Sequence, residues 1–211
     1  MSTDRLDWTD QMPPIGRQRE APLCMPFAFL HCLSSLTGGQ DYAEYPLYRA
    51  ARSRMTVGDR KKSPGVHFTA CACAAMADGL YLESSISWWS DRPRKGVTPL
   101  YPVKATARVP VHEIGQIKDL LGEHGPCLVI VAKEVLNLKG MHGLVLAGWD
   151  GYDWIVHESN YGVSKMSRLT FSTHVHEVHR VIPVERVPYQ RPLTWREKLK
   201  EVIHGQSKRT L

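Results

Sequence analysis

The sequence predicts an α+β fold, with helices in the first half of the chain and an antiparallel sheet in the second. Helical periodicity extends from residue 26 to residue 78, and short apolar runs typical of strands begin at residue 127. The pair Asp150-Gly151 separates two such runs and is a hairpin turn signal. A chain of 211 residues is long enough to bury a substantial core in one domain.

The helical half is bounded by proline and glycine. The first helix is predicted over residues 26–36, where Pro26 fits the first turn and Gly38-Gly39 follows the end. Cys24 therefore lies at the N-terminus of a buried helix. The remaining predictions in this half are helices at 44–54, 67–78 and 111–123, a loop around 58–65, and irregular structure over 84–110.

The second half predicts strands over residues 127–132 and 142–149, and another over 154–158 after the turn. Strands at 167–171 and 176–184 complete the expected sheet. We predict one domain over residues 1–188, followed by a basic tail over residues 189–211 with a short helix around 194–203. This tail is a candidate contact for the domain itself or for a protein partner.

The five cysteines are odd in number and irregular in spacing, which fits neither a disulfide framework nor a zinc ribbon. His174, His176 and His179 lack an acidic or cysteine partner at ligand spacing, so we expect no metal and no cofactor. The net charge of +6 is scattered without interleaved aromatic residues, which does not favour nucleic acid and is compatible with an anionic cell-wall polymer.

The sequence has no apolar run long enough for a membrane span. Its first residues lack the apolar region of a secretory signal, which predicts synthesis in a cytoplasm. Delivery by a dedicated export machine and association with a phage particle remain open alternatives.

Cys24 is the candidate nucleophile. A cysteine attacks carbonyl carbon as a thiolate, and both a helix N-terminus and a neighbouring imidazolium lower the pKa of a thiol. The predicted helix supplies the first of these devices. His142 is the best candidate for the second, because it opens a strand after a loop that contains Gly140 and can therefore face a cleft.

Several segments resemble, in their order along the chain, the motifs of papain-family cysteine proteases. They are Asp7-Trp8, Met12-Pro13-Pro14-Ile15, Gln18, Leu23-Cys24-Met25-Pro26-Phe27-Ala28-Phe29, Leu47-Tyr48, Ser63-Pro64-Gly65-Val66 and His142-Gly143-Leu144-Val145-Leu146-Ala147-Gly148-Trp149-Asp150. Each motif is short, but the ordered set spans about residues 7–184. The resemblance implies a papain-like fold, with the nucleophile helix in a helical half that packs on an antiparallel sheet or barrel half.

The resemblance also implies roles for individual residues. Gln18, six residues before Cys24, matches the glutamine that completes the oxyanion hole. Its side-chain N–H and the backbone N–H of Cys24 would stabilise the tetrahedral intermediate. His142 would form an ion pair with Cys24 and later protonate the leaving group.

The residue that orients the histidine is left open by the sequence. The family has Asn-Ser-Trp-Gly here, whereas this chain has His157-Glu158-Ser159-Asn160-Tyr161-Gly162, and alignment on the last two residues puts Ser159 at the asparagine. The string Glu158-x-Asn160 resembles instead a strand of the CHAP-type amidases. Residues two apart share a strand face, so Glu158 and Asn160 are both favoured over Ser159.

Three functions follow as hypotheses. The leading one is a cysteine peptidase that cleaves peptide or amide bonds through Cys24 and His142. The second is a CHAP-like amidase or endopeptidase that acts on peptidoglycan. The third is an inactive papain-fold module with a structural or docking role, which the atypical Pro22-Leu23 and Met25 beside the nucleophile favour.

Overall fold

The computed structural model describes residues 5–14, 22–87, 92–132, 140–159 and 162–187. In these ranges the chain forms six α-helices and one seven-stranded antiparallel sheet, which confirms the α+β prediction. The helices are α1 (Cys24–Leu36), α2 (Glu44–Arg54), α3 (Val57–Lys62), α4 (Phe68–Ala77), α5 (Ile114–His124) and α6 (Arg168–His174). The strands are β1 (Leu6–Asp7), β2 (Val103–Val109), β3 (Cys127–Ala132), β4 (Met141–Trp149), β5 (Asp153–Glu158), β6 (Gly162–Ser167) and β7 (Val175–Pro183).

The sheet has the strand order β2-β7-β3-β4-β5-β6, and the short β1 pairs with the end of β4. Strands β4 and β5 form a hairpin in which Trp149 lies opposite Trp154 near the turn. Their register shifts by one residue between Leu146 and Gly148, so that Val145 lies opposite His157 at the far end. Gly148 is required beside this shift, because a Cβ there would lie 2.2 Å from the carbonyl oxygen of Leu6 on β1.

The central strands are buried on both faces, which explains their continuous apolar sequences. On β3, Leu128 and Ile130 belong to the hydrophobic core that contains α1, α2 and α4. The alternate residues Cys127, Val129 and Val131 belong to a second core with α5 and α6. The sheet therefore lies between two helical layers, and alternation along each strand assigns its residues to one core or the other.

Helix α1 lies between the sheet and the helices α2 and α4, and its residues 25–36 are all buried. Its high apolar content is typical of a helix that is packed on all sides, and even its polar residues His31, Ser34 and Ser35 are buried. Cys24, its first residue, is half-buried. This packing fixes the position of the helix N-terminus relative to the sheet.

Three local predictions are wrong. The expected loop around residues 58–65 contains α3, whose start is capped by Thr56, which accepts a hydrogen bond from the Asp59 N–H. The expected irregular segment contains β2, an edge strand that β7 stabilises by pairing. The expected strand over 167–171 is instead the start of α6, because the Ser167 hydroxyl caps a helix by accepting from the Thr170 N–H.

The predictions for the end of the chain concern residues that the structure does not describe. The tail over 189–211 lies outside the described residues, and the division at residue 188 stays a prediction. Within the described ranges, no helix combines the length and the apolar character needed to cross a lipid bilayer.

Candidate active site

Cys24 occupies the first position of α1, as the sequence predicts. The N-cap residue Leu23 makes no side-chain hydrogen bond to the helix, and Phe27 donates the first backbone bond of the helix to the Leu23 carbonyl at 2.8 Å. The positive end of the helix dipole is therefore next to the Cys24 sulfur and favours a negative charge there. Cys24 is only half-buried, whereas the residues that follow it in α1 are all buried.

His142 lies at the start of β4, and its side chain forms a hydrogen bond with the side chain of Cys24. The fold thus brings together two residues that are far apart in the chain. Gly143 makes this approach possible, because a Cβ at that position would lie 3.2 Å from the Cys24 carbonyl oxygen and 3.3 Å from the Met25 Cα. A side chain at residue 143 would push the start of α1 away from β4.

Glu158 binds the other side of the imidazole. The Nε2–H of His142 donates to Glu158 Oε1 at 2.7 Å, and both residues are only 3% exposed. The register that puts Val145 opposite His157 places Glu158 on the same sheet face as His142, diagonally across the hairpin. The Ser159 hydroxyl donates to the same carboxylate oxygen at 3.3 Å.

The surroundings of His142 favour its protonated form. Burial by itself lowers the pKa of this histidine, but the hydrogen bonds and negative charges of Cys24 and Glu158 outweigh burial and raise the pKa above its ordinary value. The Nε2 atom is bonded to Glu158, which leaves Nδ1 as the ring nitrogen that can exchange a proton with the thiol. The arrangement can therefore hold a thiolate beside an imidazolium, which is the reactive form of a cysteine nucleophile.

The predicted site residues are placed as follows. Cys24, His142 and Glu158 form one hydrogen-bonded chain, and Ser159 contacts Glu158. Gln18 and Asn160 lie outside the described residues, so their roles stay predictions. In the part of the chain that the structure describes, no group of three or more His, Cys, Asp or Glu residues is arranged to hold a metal ion.

The sequence does not predict the contacts that two residues make at this site. The signal for Gly143 is that it is a glycine inside a predicted strand, which often indicates that another segment of backbone approaches closely. Ser159 was considered only as an orienter of the imidazole, whereas its hydroxyl supports the carboxylate of Glu158. Strand spacing carries no signal for that second contact, since neighbouring residues on a strand point to opposite faces.

Several solved structures of cysteine proteases have a backbone fold similar to that of this chain. A cysteine protease from Carica candamarcensis superposes with a TM-score of 0.64 at 14% identity, and the match covers 87% of this chain and 99% of that one. Bromelain from Ananas comosus gives a TM-score of 0.63 at 16% identity, with coverages of 84% and 98%. Xylellain, a cysteine protease from Xylella fastidiosa, gives 0.65 at 13% identity, with coverages of 87% and 86%.

The chain has the papain-like fold. This confirms the fold that the ordered motifs predicted. No protein-family model matches the chain, and no curated protein sequence matches it. At these low identities the papain-like fold is established by backbone shape, and the chemistry has to be argued from the residues at the site.

Proposed function

We propose that the protein is a cysteine peptidase that uses Cys24 as nucleophile, His142 as general base and acid, and Glu158 as the residue that orients His142. The observation that carries the proposal is the hydrogen-bonded chain from the half-buried residue Cys24 through the buried imidazole of His142 to the buried carboxylate of Glu158. A structural cysteine would need none of these partners, since buried thiols pack as small apolar groups.

In the proposed acylation step, the proton of the Cys24 thiol rests on His142 and the thiolate attacks the carbonyl carbon of a peptide bond. The carbonyl π electrons move to oxygen and give a tetrahedral intermediate. When this collapses, the carbon–nitrogen bond breaks, and the imidazolium of His142 gives its proton to the leaving amine. The product is a thioester between Cys24 and the acyl half of the substrate.

In the proposed deacylation step, His142 takes a proton from water and the resulting hydroxide attacks the thioester. The carbon–sulfur bond then breaks, the acid product leaves, and the thiolate–imidazolium pair forms again. The backbone N–H of Cys24 is one oxyanion donor in this proposal, and the side chain of Gln18 is the other. Loss of one such donor typically lowers the rate by about 10²–10³-fold.

A second candidate is a peptidoglycan amidase or endopeptidase with the same nucleophile. The observation that favours it is the glutamate at the histidine: Glu158 is the first residue of the Glu158-x-Asn160 string that resembles the CHAP-type amidases. The net charge of +6 would also favour an anionic cell-wall substrate.

Purified protein incubated separately with unfolded casein and with bacterial sacculi tests both candidates. The Cys24→Ala variant removes the nucleophile, and Cys73→Ala is the matched control, because Cys73 is an exposed thiol on another helix. We expect cleavage of one substrate that is abolished in Cys24→Ala and unchanged in Cys73→Ala. Absence of any Cys24-dependent cleavage would contradict both candidates.

If neither casein nor sacculi is a substrate, alkylation by iodoacetamide still distinguishes a reactive active site from an inactive module. A thiolate–imidazolium pair reacts below neutral pH, where an ordinary thiol is protonated and slow. We expect Cys24 to be labelled at pH 6 more than tenfold faster than Cys73 within the same molecule. Equal rates at the two positions would favour the non-enzymatic module.

A further inference from the structure

A second pair of buried side chains joins the helix of Cys24 to the strand of Glu158. In this histidine pair, formed by His31 of α1 and His157 of β5, Nε2 of His31 lies 3.2 Å from Nδ1 of His157. The two residues are only 7% and 4% exposed, and their rings stack with centroids 5.5 Å apart. Phe27, one turn earlier on α1, also stacks with His31 at 5.9 Å.

Both imidazoles of the histidine pair are neutral at pH 7. Burial lowers the pKa of each to about 4, and the attraction of Asp7 on β1 does not overcome burial at His157. A neutral imidazole has one N–H and one bare nitrogen, so one ring donates and the other accepts. Nε2 of His157 has no hydrogen-bond partner among the described residues. Since an orphaned N–H is rarer in buried sites than an orphaned acceptor, Nδ1–H of His157 is the donor and Nε2 of His31 the acceptor.

The histidine pair closes a ring of contacts that includes the hydrogen-bonded chain of the candidate site. That chain runs from Cys24 through His142 to Glu158, and Glu158 follows His157 directly on β5. His31 lies seven residues after Cys24 on α1. Seven residues are two helical turns, so the two side chains share one face of the helix about 10 Å apart. The same helix and strand are therefore joined at two places.

The two connections leave β5 on opposite faces of the sheet, because consecutive residues of a strand alternate in direction. His157 lies opposite Val145, which belongs to the core with α1, whereas Glu158 shares the other face with His142. A change in the distance between α1 and β5 at His157 would therefore displace the neighbouring Glu158. The bond from His142 to Glu158 is 2.7 Å long, and hydrogen bonds weaken steeply when their geometry is disturbed.

Packing alone does not fix α1 beside the histidine pair. A cavity of about 340 Å³ adjoins His31, and Phe27, Leu30 and Ser34 of the same helix also line it. Protein interiors are normally packed too densely for a helix to shift, but a cavity of this size leaves α1 room to move. The hydrogen bond between His31 and His157 is thus a specific restraint on the helix at this point.

We propose that His31 and His157 are positioning residues for the peptidase reaction, and that their hydrogen bond sets the distance between α1 and β5 at which Glu158 reaches His142. This inference rests on the function proposed above for the candidate site. The two histidines act through Glu158, whose backbone is held by the adjacent His157. Their contribution is therefore seen in the basicity of His142, which can be measured with or without a substrate.

NMR of protein labelled with ¹⁵N-histidine measures the pKa of each imidazole separately and tests the proposal. His31→Leu removes the hydrogen bond, and we expect the pKa of His142 to fall by about 0.5–1 unit, because a loosened contact with Glu158 stabilises the imidazolium less. His31→Gln places an amide near the position of Nε2 and should restore most of the shift. The matched control is His179→Leu, since His179 is also 7% exposed but bonds to Glu177, and it should leave the pKa of His142 unchanged.

Three results would overturn the proposal. They are an unchanged pKa of His142 in His31→Leu, an equal fall in His179→Leu, and an equal fall in His31→Gln. If His31→Leu does not fold, His157→Leu removes the same hydrogen bond from the strand side, and His157→Asn is its conservative counterpart. The unmodified protein gives an independent result, because the spectra should show a scalar coupling between Nε2 of His31 and Nδ1 of His157. Absence of that coupling would also contradict the proposal.

Failure of this inference is distinguishable from failure of the proposed function. If Cys24 is alkylated rapidly at pH 6 but His31→Leu leaves the pKa of His142 unchanged, the site is reactive and the histidine pair does not position it. If the pKa of His142 falls in His31→Leu but Cys24 reacts no faster than Cys73, the histidine pair positions Glu158 and the peptidase function is contradicted.

Discussion

Replacing Glu158 by glutamine tests whether its carboxylate sets the basicity of His142. The substitution preserves the size of the side chain and an oxygen that can accept from the His142 Nε2–H, so the 2.7 Å contact can persist. It removes the negative charge that favours the imidazolium. Because the pKa of His142 is raised partly by this charge, the pKa must fall when the charge is removed.

The expected decrease in the pKa of His142 follows from the hydrogen bond between His142 and Glu158. A hydrogen bond to a charged group contributes about 1.5–3 kcal/mol, against about 1 kcal/mol for a neutral one. The loss of charge therefore removes about 1–2 kcal/mol, which equals about one pKa unit at 1.36 kcal/mol per unit. A direct Coulomb attraction of about 4 kcal/mol, for unit charges about 4 Å apart at an effective dielectric constant of 20, sets a ceiling near three units.

The assay is the rate of Cys24 carboxymethylation by iodoacetate as a function of pH. This anionic reagent reacts fastest when an imidazolium adjoins the thiolate, so the fall in rate at high pH reports the pKa of His142. We expect that fall to move to lower pH by about one unit in Glu158→Gln. Glu177→Gln is the matched control, because Glu177 contacts another histidine, His179, at 2.6 Å. An unchanged profile in Glu158→Gln would refute the reasoning.

Three further predictions concern packing and pH. Gly143→Ala should lower the rate of Cys24 alkylation at least tenfold, because the added Cβ meets the start of α1. The stability measured by urea unfolding should fall between pH 6.5 and pH 4, since His31 and His157 each have a pKa of about 4 when folded and bind protons more readily when unfolded. Arg52→Ala should lower the free energy of unfolding by about 2–3 kcal/mol, because its guanidinium binds one carbonyl group of α3 and two in the loop that follows it.

Each of these predictions has its own control. Gly122→Ala on α5 adds a Cβ that meets no atom within 4 Å, so it should leave alkylation unchanged. The double variant His31→Phe with His157→Leu should reduce the loss of stability between pH 6.5 and pH 4. That loss amounts to at most about 3 kcal/mol per histidine. Arg52→Lys keeps the charge but not the planar set of donors, and full stability in that variant would contradict the role given to the guanidinium.

The elements that the sequence predicted well are those with strong local signals. The apolar residues 25–36 and the glycines after them predict α1, and the apolar run over 127–132 predicts β3. Strand β2 has no such signal. Only its end residues Val103 and Val109 are buried, and its pairing depends on β7, about seventy residues later in the chain. A contact with so distant a partner leaves little trace in the local pattern.

The candidate site was only partly predictable for the same reason. Cys24 and His142 could be proposed because each stands in a motif with a chemical meaning. The spacing of Glu158 and Asn160 left both on one strand face, and only the register of β5 against β4 places Glu158 at His142. The contact between His31 and His157, with nitrogens 3.2 Å apart, joins residues that no motif connects.

The one-residue shift between β4 and β5 has a consequence for how this hairpin can vary. If the pairing at the turn continued without the shift, Glu158 would lie opposite Val145 and face α1, on the wrong side of the sheet from His142. The one-residue shift in register therefore determines which face of the sheet Glu158 occupies. A single-residue insertion or deletion within β5, between Trp154 and Glu158, would turn the carboxylate to the other face of the sheet, whereas a change of two residues there would keep it on the face of His142.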